Sequence, residues 1–279
     1  MSRIAARFAR LRAEGRGALI PFVEAWDPDA ETSRALLAGM PAAGADLIEI
    51  GCPFTDPMAD GPIIQAAARR ALTAGASMVH TLDMLRDFRR AEADTPVILM
   101  GYLNPIFAYG IERFCADAAG AGVDGLIVVD LPPEEADMLA PFAARRGLDV
   151  IRLVAPTTDD ARLPRVLDGS SGFVYYVAIT GITGTRSAAA ADLGAAIPRV
   201  RRFTDLPIAI GFGVRTPAQA AEAVRVADGA VVASALIDTV AHALDETGRA
   251  PPQTVDRVLE QVRALAAGVR GARNGSGAA

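Results

Sequence analysis

Leu47-Ile48-Glu49-Ile50-Gly51-Cys52-Pro53-Phe54-Thr55-Asp56-Pro57-Met58-Ala59-Asp60-Gly61-Pro62-Ile63-Ile64-Gln65 passes, within one short stretch, from a buried-strand pattern through a Pro-rich loop to the start of a helix. The run 46–50 has the length and aliphatic content of a strand, and Gly51 and Pro53 punctuate its end. Pro62 suits the first turn of a helix, where a missing N–H costs nothing. Working outward, similar runs recur at 18–23, 97–101, 125–129, 148–153, 172–177, 207–210 and 229–232. The Ala- and Arg-rich stretches between them repeat apolar residues at i, i+3 and i+4. About eight such βα units predict a (β/α)8 TIM barrel rather than an open sheet. An extra N-terminal helix precedes the first strand. The long gap after the second strand leaves room for a further helix, 60–74, before the one at 81–91.

A chain of 279 residues fits a single barrel domain over 1–267, with the Gly- and Ala-rich tail 268–279 expected to be disordered. Half the residues are hydrophobic and only 5% aromatic, as an aliphatic core of buried parallel strands requires. The net charge of -5 exerts no general pull on nucleic acid or anionic membrane, so an anionic substrate has to be held locally. Residues 1–15 alternate Arg and apolar side chains at helical spacing, which predicts an amphipathic helix rather than a signal peptide. No apolar run is long enough for a membrane span. Cys52 and Cys115 form no disulfide or metal framework, and a reducing cytoplasm is the expected location.

The chain contains no lysine; all 28 basic residues are arginine. Schiff-base chemistry and a P-loop both need a lysine, so neither can operate here. The two histidines, His80 and His242, stand apart from any carboxylate or cysteine cluster, and no metal site is expected.

Active sites of this fold lie at the C-terminal ends of the strands. There, alternation points Glu49 into the barrel mouth, where a carboxylate either works or needs a buried partner. Asp60 has two readings, a catalytic group or the N-cap of the helix that follows. As a pair, two carboxylates suit the movement of two protons. Phe22, Tyr102, Ile127, Tyr175 and Phe212 can line the mouth and would fit a flat apolar ring. Gly184, Gly213 and Ser234 end the late strands, either as simple strand punctuation or as backbone donors and a hydroxyl for a phosphate.

The quoted stretch resembles the signature of the tryptophan synthase α subunit family. The resemblance extends over about residues 1–265, through Pro21-Phe22, Asp27-Pro28, Gly101-Tyr102, Asn104-Pro105, Asp130-Leu131-Pro132, Tyr175-Tyr176, Gly181-Ile182-Thr183-Gly184 and Gly211-Phe212-Gly213. It implies a lyase that cleaves indole-3-glycerol phosphate to indole and glyceraldehyde 3-phosphate in L-tryptophan biosynthesis. Glu49 is then the acid/base group and Asp60 the partner of the indole N–H. Phosphate is held around Gly184, Gly213, Ala233 and Ser234, beneath a lid at about 179–190 carrying Thr183. The resemblance further implies no cofactor on this chain and a β subunit carrying PLP, in an α2β2 heterotetramer, with the loop 53–60 facing that partner.

The chain departs from the family pattern at four positions. Trp26 stands where a glycine is usual, Glu24 where a threonine is common, Ala178 for a serine and Ala233 for a glycine. A tryptophan at a position that calls for φ > 0 is expected to strain its loop or shrink the pocket, and an added methyl to crowd the phosphate. These departures open a second reading, a weakened binding and regulatory subunit that activates a β partner. A third, a sugar-phosphate isomerase on the same barrel, is opposed by the Glu49–Asp60 loop.

Overall fold

The computed structural model describes residues 2–178, 186–211 and 213–272. In chain order its elements are α1 (Arg3–Ala13), β1 (Ala18–Glu24), α2 (Ala30–Ala43), β2 (Ile48–Gly51), α3 (Pro62–Thr73), α4 (Met78–Ala91), β3 (Val97–Gly101), α5 (Leu103–Tyr109), α6 (Ile111–Gly120) and β4 (Gly125–Val128). They continue with α7 (Ala140–Arg145), β5 (Asp149–Val150), β6 (Arg152–Val154), α8 (Leu163–Leu167), β7 (Val174–Val177), α9 (Arg186–Arg201), β8 (Ile208–Gly211), α10 (Pro217–Val226), β9 (Gly229–Val232), α11 (Ser234–Ala243) and α12 (Gln253–Gly271).

The paired strands run parallel in the order β5-β4-β3-β2-β1-β9-β8-β7-β6. Its two ends, β5 and β6, flank Ile151. There the chain leaves β4 as its partner and takes up β7. The run expected as one strand at 148–153 is therefore two segments, and the hand-over between them closes the barrel. Nine segments fill eight barrel positions, with α1 ahead of them and α3 as the additional helix after β2.

Alternation along the strands sorts the core into two layers. Ile20, Phe22, Leu47, Ile98, Ile127, Ile151, Phe173, Tyr175, Ala209 and Val231 point inward, and the α1 residues Ile4, Phe8 and Leu11 belong to the same cluster. The alternate residues, among them Leu19, Val23, Ile48, Ile50, Leu99 and Ile208, face the helices. Helix ends follow local chemistry. The Asp29 carboxylate accepts from Thr32 N–H at 2.8 Å to start α2, and Gly44 ends it in the left-handed region at φ 105°.

The tail boundary expected at Gly268 is corrected. Helix α12 continues to Gly271 with Val269 and Ala272 buried, because its apolar stripe still meets the barrel there. Residues 273–279 lie outside the described residues.

Candidate active site

The register pairs Phe22 with Glu49 and Glu49 with Ile98, setting the Glu49 carboxyl among inward-facing apolar neighbours. Glu49 is 1% exposed, and neither carboxyl oxygen has a hydrogen-bond partner among the described residues. Burial, with a smaller push from the Asp60 charge, raises its pKa from the ordinary 4.5 to about 8. At neutral pH it is a protonated acid, able to give a proton and then take one back. The reading of Glu49 as a paired structural carboxylate is excluded, because no cation reaches it among the described residues.

Asp60 closes the loop between β2 and α3. It does not cap α3: the N-cap is Gly61, with Pro62 opening the helix and no side-chain capping bond. Instead the Tyr102 hydroxyl donates to Asp60 Oδ2 at 3.0 Å and accepts from Ala59 N–H at 3.0 Å. Gln65 Nε2 donates to the Asp60 carbonyl at 2.9 Å. The loop is thus tied to β3 from one side and to α3 from the other. Burial raises the Asp60 pKa and the Tyr102 hydrogen bond opposes that rise, favouring the ionised form. Tyr102 therefore acts on Asp60, and Phe54 packs on its ring at 5.5 Å between centroids.

Tyr175 is 5% exposed, and burial and the Glu49 charge both push its hydroxyl well above the usual range, so it remains a neutral phenol. Its ring lies over Gly211, where a Cβ would sit 2.0 Å from the hydroxyl oxygen. Only glycine fits beneath that ring. Phe22 and Ile127 join Tyr175 in the inward-facing cluster. The expected Phe212, Thr183 and Gly184 lie outside the described residues, as does most of the expected lid, 179–185.

In the loops after β8 and β9, Gly213 adopts φ 80°, and Ser234 begins α11 behind Ala233. Ala233 has φ -114°, which any residue adopts, and its methyl packs on the inner cluster. Sequence reasoning missed Arg215, whose Nη1 donates to the Ser234 hydroxyl at 3.1 Å while Nη2 pairs with Asp238. It sits two residues beyond Gly213, and its position in the loop after β8 was the available signal.

A family model described as tryptophan synthase alpha chain matches residues 8–270. The chain belongs to the tryptophan synthase alpha chain family. It is 71% identical over 273 residues to the tryptophan synthase alpha chain of Granulibacter bethesdensis, covering 98% of each chain. The Acidiphilium cryptum alpha chain is 70% identical over 273 residues, with 98% of this chain and 99% of that one covered. Among solved structures, tryptophan synthase subunit alpha from Legionella pneumophila str. Paris superposes with a TM-score of 0.86 at 37% identity, covering 98% and 99% of the two chains. The aminoacrylate-bound tryptophan synthase of M. tuberculosis gives 0.82 at 34% identity, covering 96% of this chain and 100% of that one.

Against the tryptophan synthase alpha chain pattern, Trp26 is strained, and its indole Nε1 is buried with no hydrogen-bond partner among the described residues. Trp26 adopts φ 68°, the left-handed conformation that favours glycine. Its side chain packs with the outer, helix-facing layer rather than the inner cluster, and stacks on His80 of α4 at 4.7 Å between centroids. Asp27, 3% exposed, forms a two-pronged pair with Arg70 of α3 at 2.7 and 2.8 Å, which ties this loop to the helix that follows Asp60. Among the described residues no helix is long and apolar enough to cross a membrane.

Proposed function

We propose that the chain cleaves indole-3-glycerol phosphate by a retro-aldol step, with Glu49 as the acid/base group. The observation that carries this is the Glu49 carboxyl: fully buried, without a hydrogen-bond partner among the described residues, and protonated at neutral pH. Glu49 protonates the ring carbon that bears the glycerol chain, and the positive charge this creates spreads to the ring nitrogen. Asp60, oriented by the Tyr102 hydroxyl, receives the indole N–H and stabilises that charge. The Glu49 carboxylate then takes the proton from the neighbouring chain hydroxyl. The carbon–carbon bond breaks, its electrons return to the ring, and indole and glyceraldehyde 3-phosphate are released. The substrate's own ring is the electron sink, so the absence of lysine from the sequence is no obstacle.

Phe22, Ile127 and Tyr175 supply the apolar walls for the ring, with Phe212 and Thr183 completing the pocket. Gly184, Gly213, Ala233 and Ser234 receive the phosphate. The chain carries no cofactor of its own and works in the cytoplasm in an α2β2 assembly, with PLP on the β subunit. Met58 on the loop before Asp60 and Phe107 on α5 are 79% and 62% exposed, unusual for large apolar side chains, and suit a protein partner at that rim. The outward packing of Trp26 favours this lyase over the purely regulatory reading.

The test is indole release from indole-3-glycerol phosphate by the purified chain, with and without a β subunit. Release is expected in both settings, faster with the partner; silence in both would sink the proposal. Glu49→Gln should lower kcat by about 10²- to 10⁴-fold, the usual contribution of a positioned proton donor.

A further inference from the structure

Glu24 is the last residue of β1 and lies opposite Gly51 in the register, on the same inward face as Phe22 and Glu49. It is 3% exposed, yet no hydrogen bond or ion pair reaches its carboxyl among the described residues. The carboxyl rests directly on Gly51, where a Cβ would stand 2.2 Å from Glu24 Oε2 and 2.6 Å from the tip of the Phe22 ring. The chain thus leaves room for this side chain by having no side chain opposite it.

The groups around Glu24 are acids or weak acids. Asp60 approaches from the loop after β2 and Asp27 from its own loop, and Cys52 follows Gly51. Glu49 stands on β2, and Asp60 acts on both glutamates. Arg70 is paired with Asp27. His80 stacks outside, on Trp26. Burial first, then the Asp60 and Asp27 charges, keep Glu24 protonated far above the usual carboxylate range. A neutral carboxylic acid is an O–H donor. A buried donor without a protein partner has to be satisfied by what enters the chamber.

We propose that Glu24 is a third working acid of this site, a neutral hydrogen-bond donor that faces the bound substrate and helps determine its specificity. This rests on the lyase reading for the identity of the ligand. Indole-3-glycerol phosphate has no acceptor on its ring, and the residues expected to hold its phosphate follow β9, the neighbour of β1, so the acceptor offered to Glu24 is an oxygen of the glycerol phosphate chain. Glu24 transfers no proton; Glu49 does that.

Two measurements test it on the chain assembled with its β subunit. In infrared difference spectra at pH 7, the protonated carboxylic C=O absorption should contain, beside the Glu49 component, a component that Glu24→Gln removes, and indole-propanol phosphate should shift that Glu24 component. In steady-state assays, Glu24→Leu keeps the bulk and lacks the donor, and should raise KM tenfold or more with kcat changed less than threefold. Glu24→Gln, which donates through its amide, should restore KM to within threefold of wild type. A Glu24 component that does not move when the analogue saturates the site, or a Glu24→Leu KM within twofold of wild type, would overturn the proposal. Should Glu24→Leu fail to fold, the wild-type and Glu24→Gln spectra decide alone. Absence of indole release by the wild type would count against the reaction and leave the infrared result on Glu24 standing.

Discussion

At the N-terminal end of the barrel, Asp46 and Asp124 are as buried as the carboxyls at the opposite mouth, at 3% and 5% exposure. Asp46 accepts from Leu19 N–H at 2.9 Å and from Arg16 at 2.9 Å. Asp124 accepts from Arg3 at 2.8 Å, Arg89 at 3.1 Å and Val97 N–H at 2.8 Å. At the C-terminal mouth Glu49 is buried with neither oxygen bonded, and no hydrogen bond or ion pair reaches the Glu24 carboxyl among the described residues. One residue class thus serves two ends in opposite ways. Paired carboxylates pin strand starts to neighbouring loops and α1, whereas unpaired ones keep their protons and remain available to a ligand.

The contrast should be broken most severely at Asp124. Asp124→Ala leaves the Arg89 guanidinium and the Val97 N–H without their acceptor, and should destabilise the fold by about 3–5 kcal/mol. Urea unfolding reads this loss, while kcat per folded molecule should hardly change. At the other end the sign reverses. Glu49 holds its proton in the folded chain up to about pH 8 but releases it near 4.5 when unfolded, so its contribution is intact below pH 4.5 and is lost as pH rises through 8. Glu49→Gln should therefore be more stable than the wild type by about 3 kcal/mol at pH 7, with the difference vanishing near pH 4.5. Urea midpoints measured across that range give the comparison directly. A constant difference would contradict it.

The smallest effect is expected beside the mouth, at Trp26. Glycine there would relieve the left-handed backbone but lose the stack on His80 and loosen the unfolded chain, leaving a net change within about 1 kcal/mol. Since the ring packs in the outer layer, Trp26→Gly should leave KM for indole-3-glycerol phosphate unchanged. A large fall in KM would mean that the ring obstructs the mouth after all.

Much of this was legible in the sequence because it depends on period and sterics alone. The strand runs, the inward direction of Glu49 and the positive φ of Trp26 follow from alternation and from the glycine usual at that position. The split at Ile151 was not legible, since a single aliphatic run carries no mark of where it changes partner. The role of Asp60 stayed open for a similar reason: Asp-Gly-Pro is a fair cap pattern, and its real partner, Tyr102, is 42 residues away. Glu24 was within reach, because Ala18, Ile20, Phe22 and Glu24 form one inward-facing series. Its uncharged state was not, since that depends on Asp60 and Asp27 converging on it in space.

The central claim is that an unpaired, buried Glu49 is the acid of this site. Titration of its carboxyl carbon by ¹³C NMR in the wild type and in Asp60→Asn tests it most directly. The account predicts a midpoint near 8, shifted downward but kept above 4.5 when the Asp60 charge is removed. A wild-type midpoint at or below 4.5, unmoved by Asp60→Asn, would contradict it.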